Sequence, residues 1–234
     1  MLDEHLSRLD RSLREILIDQ ADIPEMGMVV RRLGMENQIS DGICYIQVTR
    51  GVAPRSHAFP PGGTTPTVYA VTRPLEQDAR MWEEGINVHI VPDLRWGRCD
   101  IKSISLLPNT LAHQEAREAG ATEAIFSREG VITEGSHTNV FIVVDEHVIT
   151  HPTGRAILTG ITRNAVLSCA EAEGIAIMER PFSEPELLAA EEAFVTSTTS
   201  EVLPIRSVNG KNIGGGAPGP ITKRLLAAYR ELLP

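Results

Sequence analysis

The period of the apolar residues changes along this chain, and that change limits the folds open to it. Leu2, Leu6, Leu9, Leu13 and Leu17 fall near one face of a helix, with Asp, Glu and Arg between them. A second helix is predicted from about Pro24 to Leu33, with Asp22 as its cap, Met26, Val29, Val30 and Leu33 on its apolar face, and Gly34 as its stop. The period then shortens. Ile43–Thr49 and Thr67–Thr72 are β-branched and aromatic runs, joined through a Pro/Gly/Thr-rich loop over Pro60–Pro66. Leu75–Glu84 reads as a crossover, and Ile86–Val91 as a half-buried strand closed by Pro92.

Beyond it, helical and strand periods alternate. Asn109 is expected to cap a helix through Leu111, Ala112, Glu115 and Ala116 that Gly120 ends. Val140–Val144 is a continuous apolar run suited to a buried strand. Ile161, Ala165, Ser168, Cys169 and Ala172 share a helix face ending at Gly174, and Ser183-Glu184-Pro185-Glu186 has the form of a capping box. Ile221, Leu225, Ala228 and Leu232 mark a final helix. The pattern predicts an α+β chain, with a small portion over residues 1–78 and a larger mixed portion over 79–234.

Composition narrows the function classes. A net charge of −9 argues against nucleic acid, whose binders need a basic face. Three cysteines, odd in number and without a CxxC pair, indicate neither a disulfide framework nor a zinc knuckle. The start lacks a basic segment followed by an apolar run, and no stretch is apolar enough to span a bilayer. A reduced, cytoplasmic protein with no membrane partner is expected. The histidines form no HExxH, so no metal site is expected, and Gly214–Gly216 lacks the context of a dinucleotide loop.

Lys102 lies among apolar residues, between a strand-like and a helix-like segment. A lysine held half-desolvated there favours the neutral amine, which can attack a carbonyl to form a Schiff base. Alone this is a weak signal, because most lysines are solvated. Downstream come Thr133-Glu134-Gly135-Ser136-His137-Thr138-Asn139-Val140-Phe141, then Leu158-Thr159-Gly160-Ile161-Thr162-Arg163, then Thr196-Ser197-Thr198-Thr199-Ser200-Glu201. Together and in this order they resemble the fold-type IV pyridoxal-phosphate (PLP) aminotransferases, and most closely the D-amino acid aminotransferases.

The resemblance implies a cofactor, pyridoxal 5'-phosphate, and a role for each matching residue. Lys102 would form the Schiff base and move the substrate proton. Glu134 would face the pyridine nitrogen and strengthen the ring as an electron sink. Leu158 would pack on the ring. The helix start at Ile161 and Thr162, with Thr198 and Arg8, would hold the phosphate. Arg55 and His57, at i and i+2 on an extended segment, would grip a substrate carboxylate from the neighbouring subunit of a homodimer. Family members also carry strands before the helix that bears Arg8. This chain begins about at that helix, which implies either an incomplete gene product or a shortened small domain. A branched-chain aminotransferase, an aminodeoxychorismate lyase and a non-catalytic PLP-binding dimer remain as alternatives.

Overall fold

The computed structural model describes residues 1–60 and 64–233. Pro61, Gly62 and Gly63 of the predicted Pro/Gly/Thr-rich loop lie outside the described residues. The chain divides into two compact units, Met1–Gln77 and Asp78–Pro234.

The first unit contains helices α1 (Leu2–Glu15) and α2 (Ile23–Glu36) and the antiparallel pair β1 (Gly42–Thr49) and β2 (Thr67–Pro74). α1 buries Leu6 and Leu13, as its spacing predicts. It stops two residues before Leu17, which turns out to solvent with φ +59°. Asp22 caps α2 by accepting from the Glu25 N–H at 2.8 Å. Gly34 does not stop α2, which runs on to Glu36, because a glycine inside a helix costs only about 1 kcal/mol and leaves the hydrogen bonds intact. Arg50, just past β1, donates to Leu17 O at 2.7 Å and to Ile16 O, and lies 3.7 Å over the Phe59 ring. It fastens the start of the β1–β2 connection to the end of α1.

The second unit runs α3 (Arg80–Glu84), β3 (Ile86–Pro92), α4 (Leu107–Glu118), β4 (Glu123–Arg128), β5 (Val131–Gly135), β6 (Asn139–Val144), β7 (His147–Thr150) and α5 (Ile161–Ala172). Next come β8 (Ile177–Glu179), β9 (Phe182–Ser183), α6 (Glu184–Ala189), β10 (Glu192–Ser197), β11 (Glu201–Val208), β12 (Lys211–Asn212) and α7 (Pro220–Glu231). Among the described residues its strands form one sheet in the order β8-β7-β6-β10-β11-β3-β4-β5-β9, with β12 beside β11. β3 pairs in parallel with both β11 and β4, whereas β6 and β10 pair antiparallel.

β6 shows why its apolar run is continuous. Val140 and Ile142 enter one buried cluster with Ile125, Ile132 and Leu187, while Phe141 and Val143 enter another with Val166, Phe194 and Leu225. Successive side chains point to opposite faces, and both faces are covered, so polar alternation disappears.

Three local expectations change. α5 buries Thr162, Val166, Cys169 and Ala170, and Ser168 and Ala172 are exposed, so its inward face is rotated from the predicted one. Leu232 lies past α7 and is exposed; Tyr229 takes the inward place. Asn109 does not cap α4. It sits in the first turn beside Pro108, whose missing N–H costs nothing there, and its amide donates to Ser136 O at 2.7 Å.

Candidate active site

The segment from Glu134 to Asn139 is the end of β5, a tight turn and the start of β6. Gly135 donates its N–H to Thr138 O at 2.7 Å, and a Cβ on Gly135 would lie 2.0 Å from Thr138 Oγ1, so only glycine fits. Glu123, on the adjacent β4, clasps this turn. Its buried carboxylate accepts from the Ala124 N–H at 2.7 Å, the Ser136 hydroxyl at 2.5 Å and the Thr138 hydroxyl at 3.0 Å, with His137 Nδ1 3.0 Å away. His113 Nδ1 lies 3.8 Å from the same carboxylate. These three residues have donor types suited to a metal, but the bonds to Glu123 describe a polar clasp that fixes the turn.

Glu134 points into the buried interior, 5% exposed. It accepts from Arg95 Nη1, from Asn139 Nδ2 at 3.1 Å and from the Leu158 N–H at 2.9 Å. Asn139 also donates to Leu158 O at 2.9 Å. Gly160 then passes so close that a Cβ there would meet Asn139 Oδ1 at 2.1 Å. Segments far apart in sequence, around Glu134, Asn139 and Leu158–Thr162, are thereby joined at one place.

Two residues that the sequence patterns did not single out complete this network. Arg95, nearly buried, donates Nε to Asp93 Oδ1 and Nη2 to Asp93 Oδ2, each at 2.9 Å. It also reaches Thr133 Oγ1 and Ala156 O, both at 3.2 Å, and lies 4.3 Å over the Phe126 ring. Arg128 meets Asp93 from the other side at 2.9 Å. The available signal was an Asp-x-Arg pair directly after the strand-ending Pro92, a short pattern with no period to set it apart from a solvated loop.

Burial sets the electrostatics. It pushes the Glu134 carboxyl up to about 7, against the pull of Arg95 and the Leu158 N–H. Burial also works against the Arg95 charge, but the bonds to Asp93 and the fields of Glu134 and Asp93 outweigh it and hold the guanidinium above its ordinary value. The same holds for Asp93: desolvation opposes its charge, while Arg95 and Arg128 keep its carboxyl below the usual carboxylate range.

The other predicted residues are placed as follows. Leu158 is half-buried beside Glu134. Ile161 and Thr162 open α5, whose first turn has no side-chain cap, so backbone N–H groups are available to an anion. The Thr162 hydroxyl bonds Tyr229, which leaves its N–H as the donor it can offer. Thr198 is exposed in the turn between β10 and β11. β10 carries Thr196, the register partner of Asn139, and the buried Thr196 hydroxyl has no hydrogen-bond partner among the described residues.

Lys102 lies in the irregular segment between β3 and α4 and is exposed, not half-desolvated as its neighbours suggest. Cys99 and Ile101 are buried, whereas Ile104, Leu106 and Leu107 face outward. Arg8, Arg55 and His57 belong to the first unit. Arg8 is half-buried on α1, with its guanidinium lowered to about 10 by burial and then by Arg11. Arg55 and His57 are exposed in the connection between β1 and β2.

These donors fit a pyridoxal phosphate. A buried carboxyl that titrates near neutrality suits a ring nitrogen, an uncapped helix start suits a phosphate, and the Thr196 hydroxyl awaits an acceptor. Comparison with known proteins agrees. The amino-transferase class IV family profile matches residues 1–208. D-alanine aminotransferase of Bacillus licheniformis is 44% identical over 231 residues, covering 98% of this chain and 81% of that protein. Branched-chain amino acid aminotransferase of Escherichia coli superposes with a TM-score of 0.88 at 29% identity, over 98% of this chain and 78% of that one. The Thermobaculum terrenum branched-chain enzyme, solved in its PLP form, gives 0.83 at 28% identity over 99% and 77%. The chain belongs to the class IV aminotransferases, fold-type IV enzymes of the α+β class that work with pyridoxal 5'-phosphate.

Proposed function

We propose that this enzyme moves an amino group from a D-amino acid of the D-alanine kind to a 2-oxo acid. The observation that carries the reading is the joining of Glu134, Asn139 and Leu158 around one buried carboxyl. The 44% identity to a D-alanine aminotransferase sets the substrate class. Pyridoxal phosphate, when bound, supplies the electron sink that makes the substrate α-proton acidic. Lys102 would hold the cofactor, and its Nζ would move the proton at the substrate α-carbon. Glu134 would face the ring nitrogen and hold its proton there. The N–H groups of Ile161 and Thr162, the Thr198 hydroxyl and the Arg8 guanidinium bind the phosphate, and Leu158 packs on the ring. Arg55 and His57 bind the substrate carboxylate, Arg55 through two parallel bonds.

In this reading the enzyme is a cytoplasmic homodimer. Ile104, Leu106, Leu107 and Leu111 are each at least 50% exposed, an apolar group that a second copy would cover. Its three cysteines are free thiols, in keeping with a reduced compartment, and no helix among the described residues is long and apolar enough to cross a membrane.

The test is half-reaction spectroscopy on protein loaded with PLP. D-alanine should convert the lysine-bound cofactor to its amine form, and L-leucine should not. Lys102→Ala should bind PLP without being fixed to it by borohydride, and should lose at least about a thousandfold in turnover. Full turnover in that variant would refute the assignment. Conversion by L-leucine alone would favour a branched-chain enzyme, the reading that the Escherichia coli likeness supports.

A further inference from the structure

The Asp93–Arg95–Glu134 chain has a charge arrangement that a simple Arg–Glu pair would lack. A guanidinium given wholly to one carboxylate makes that carboxylate a weak base, because the pair is already neutralised. Arg95 is divided instead. Its Nε and Nη2 go to Asp93, and Nη1 is left for Glu134. The Asp93 side chain is fully buried, so no solvent cation can take the place of Arg95, and Arg128 is the cation on its other side. Asp93 and Arg95 follow β3, Arg128 ends β4, Glu134 lies on β5, and Cys99 is the further titratable group facing them. Asn139 and Leu158 add neutral donors.

We propose that Asp93 is a positioning residue: by holding Arg95 through two bonds, it keeps Glu134 basic enough to retain the proton of the cofactor's ring nitrogen. The inference rests on the reading of Glu134 as the partner of that nitrogen. Asp93 touches neither cofactor nor substrate in this scheme and acts only through Arg95.

Opposite signs distinguish this role from a structural one. In cofactor-free protein with 13C-carboxyl-labelled glutamate, the Glu134 signal, assigned by its loss in Glu134→Gln, should titrate at about 7. Asp93→Asn frees the guanidinium for Glu134 and should lower that midpoint by about one unit, whereas Arg95→Leu removes the cation and should raise it. Shifts of the same sign, or an unmoved midpoint in Asp93→Asn, would overturn the proposal. Should Asp93→Asn not fold, Arg128→Gln takes its place. Loss of that part-exposed cation strengthens Asp93's hold on Arg95 and should raise the midpoint, so a fall or no change sinks the idea. In PLP-loaded protein, Asp93→Asn should lower kcat about tenfold with little change in KM, and Asp93→Glu should recover most of it. If the wild type formed no lysine-bound cofactor, the reading of Glu134 would fail, while the carboxyl titrations would still decide the charge relation.

Discussion

Asn139 joins the two best-marked segments of the chain with one amide. Its Nδ2 serves both the Glu134 carboxylate and Leu158 O, and its Oδ1 faces the bare Cα of Gly160. Gly160→Ala would put a methyl 2.1 Å from that oxygen, so the amide must move and both bonds weaken. Loss of a donor to a buried carboxylate costs about 1–3 kcal/mol, and either Asn139→Ala or Gly160→Ala should lose that much in urea unfolding. The two losses should not add. In an Asn139→Ala background the alanine at position 160 has no amide to displace, and a double-mutant cycle should show a coupling of about 1 kcal/mol or more. Additive costs would mean that Gly160 matters for its backbone and not for Asn139. Much of this was legible in sequence, because Glu134-Gly135 and Asn139 lie at short, ordered spacing and Leu158–Thr162 opens a helix. Arg95 was not legible. Its partner Glu134 is remote in sequence, and only folding shows that a charged loop residue is buried against it.

Elements are legible in the sequence where one periodic face is buried and less so at their ends. The capping box at α6 is present in full: Ser183 Oγ accepts from the Glu186 N–H at 3.3 Å, and Glu186 Oε2 accepts from the Ser183 N–H at 2.9 Å. It follows β9, the edge strand beside β5, so it fixes how the chain leaves that edge. Ser183→Ala should cost about 1 kcal/mol, seen as a lower urea midpoint with an unchanged slope. Ser183→Gly should cost only a few tenths, since glycine tolerates the cap position. Equal losses for the two would implicate the strand and not the cap. By contrast, the inward face of α5 departs from its apolar period because Thr162 and Arg163 are buried although polar. Thr162 bonds Tyr229, and Arg163 reaches His151 O at 2.8 Å and Glu179 at 2.5 Å. A hydrophobic period cannot register inward polar residues whose partners come from other elements.

At the scale of the whole molecule, a buried acid held near neutrality makes stability depend on pH. The larger unit packs apolar clusters on both faces of its sheet, and Glu134 lies within that interior. Its carboxyl titrates at about 7 in the folded protein, against the ordinary 4.5 that it regains on unfolding. The folded state therefore binds this proton more tightly than the unfolded chain does. The resulting stability is fully present below pH 4.5, falls as pH rises, and is gone once pH passes about 7. The difference amounts to about 3 kcal/mol from this one group. Thermal scans of cofactor-free protein should show Tm falling between these pH values, and Glu134→Gln, which cannot ionise, should flatten that part of the profile. PLP should flatten it too, because a protonated ring nitrogen gives the ionised carboxylate a partner, and binding to the folded form adds about 2.7 kcal/mol at a hundredfold excess over Kd. If Glu134→Gln kept the full slope, the pH dependence would arise elsewhere, and burial of Glu134 could not be its source.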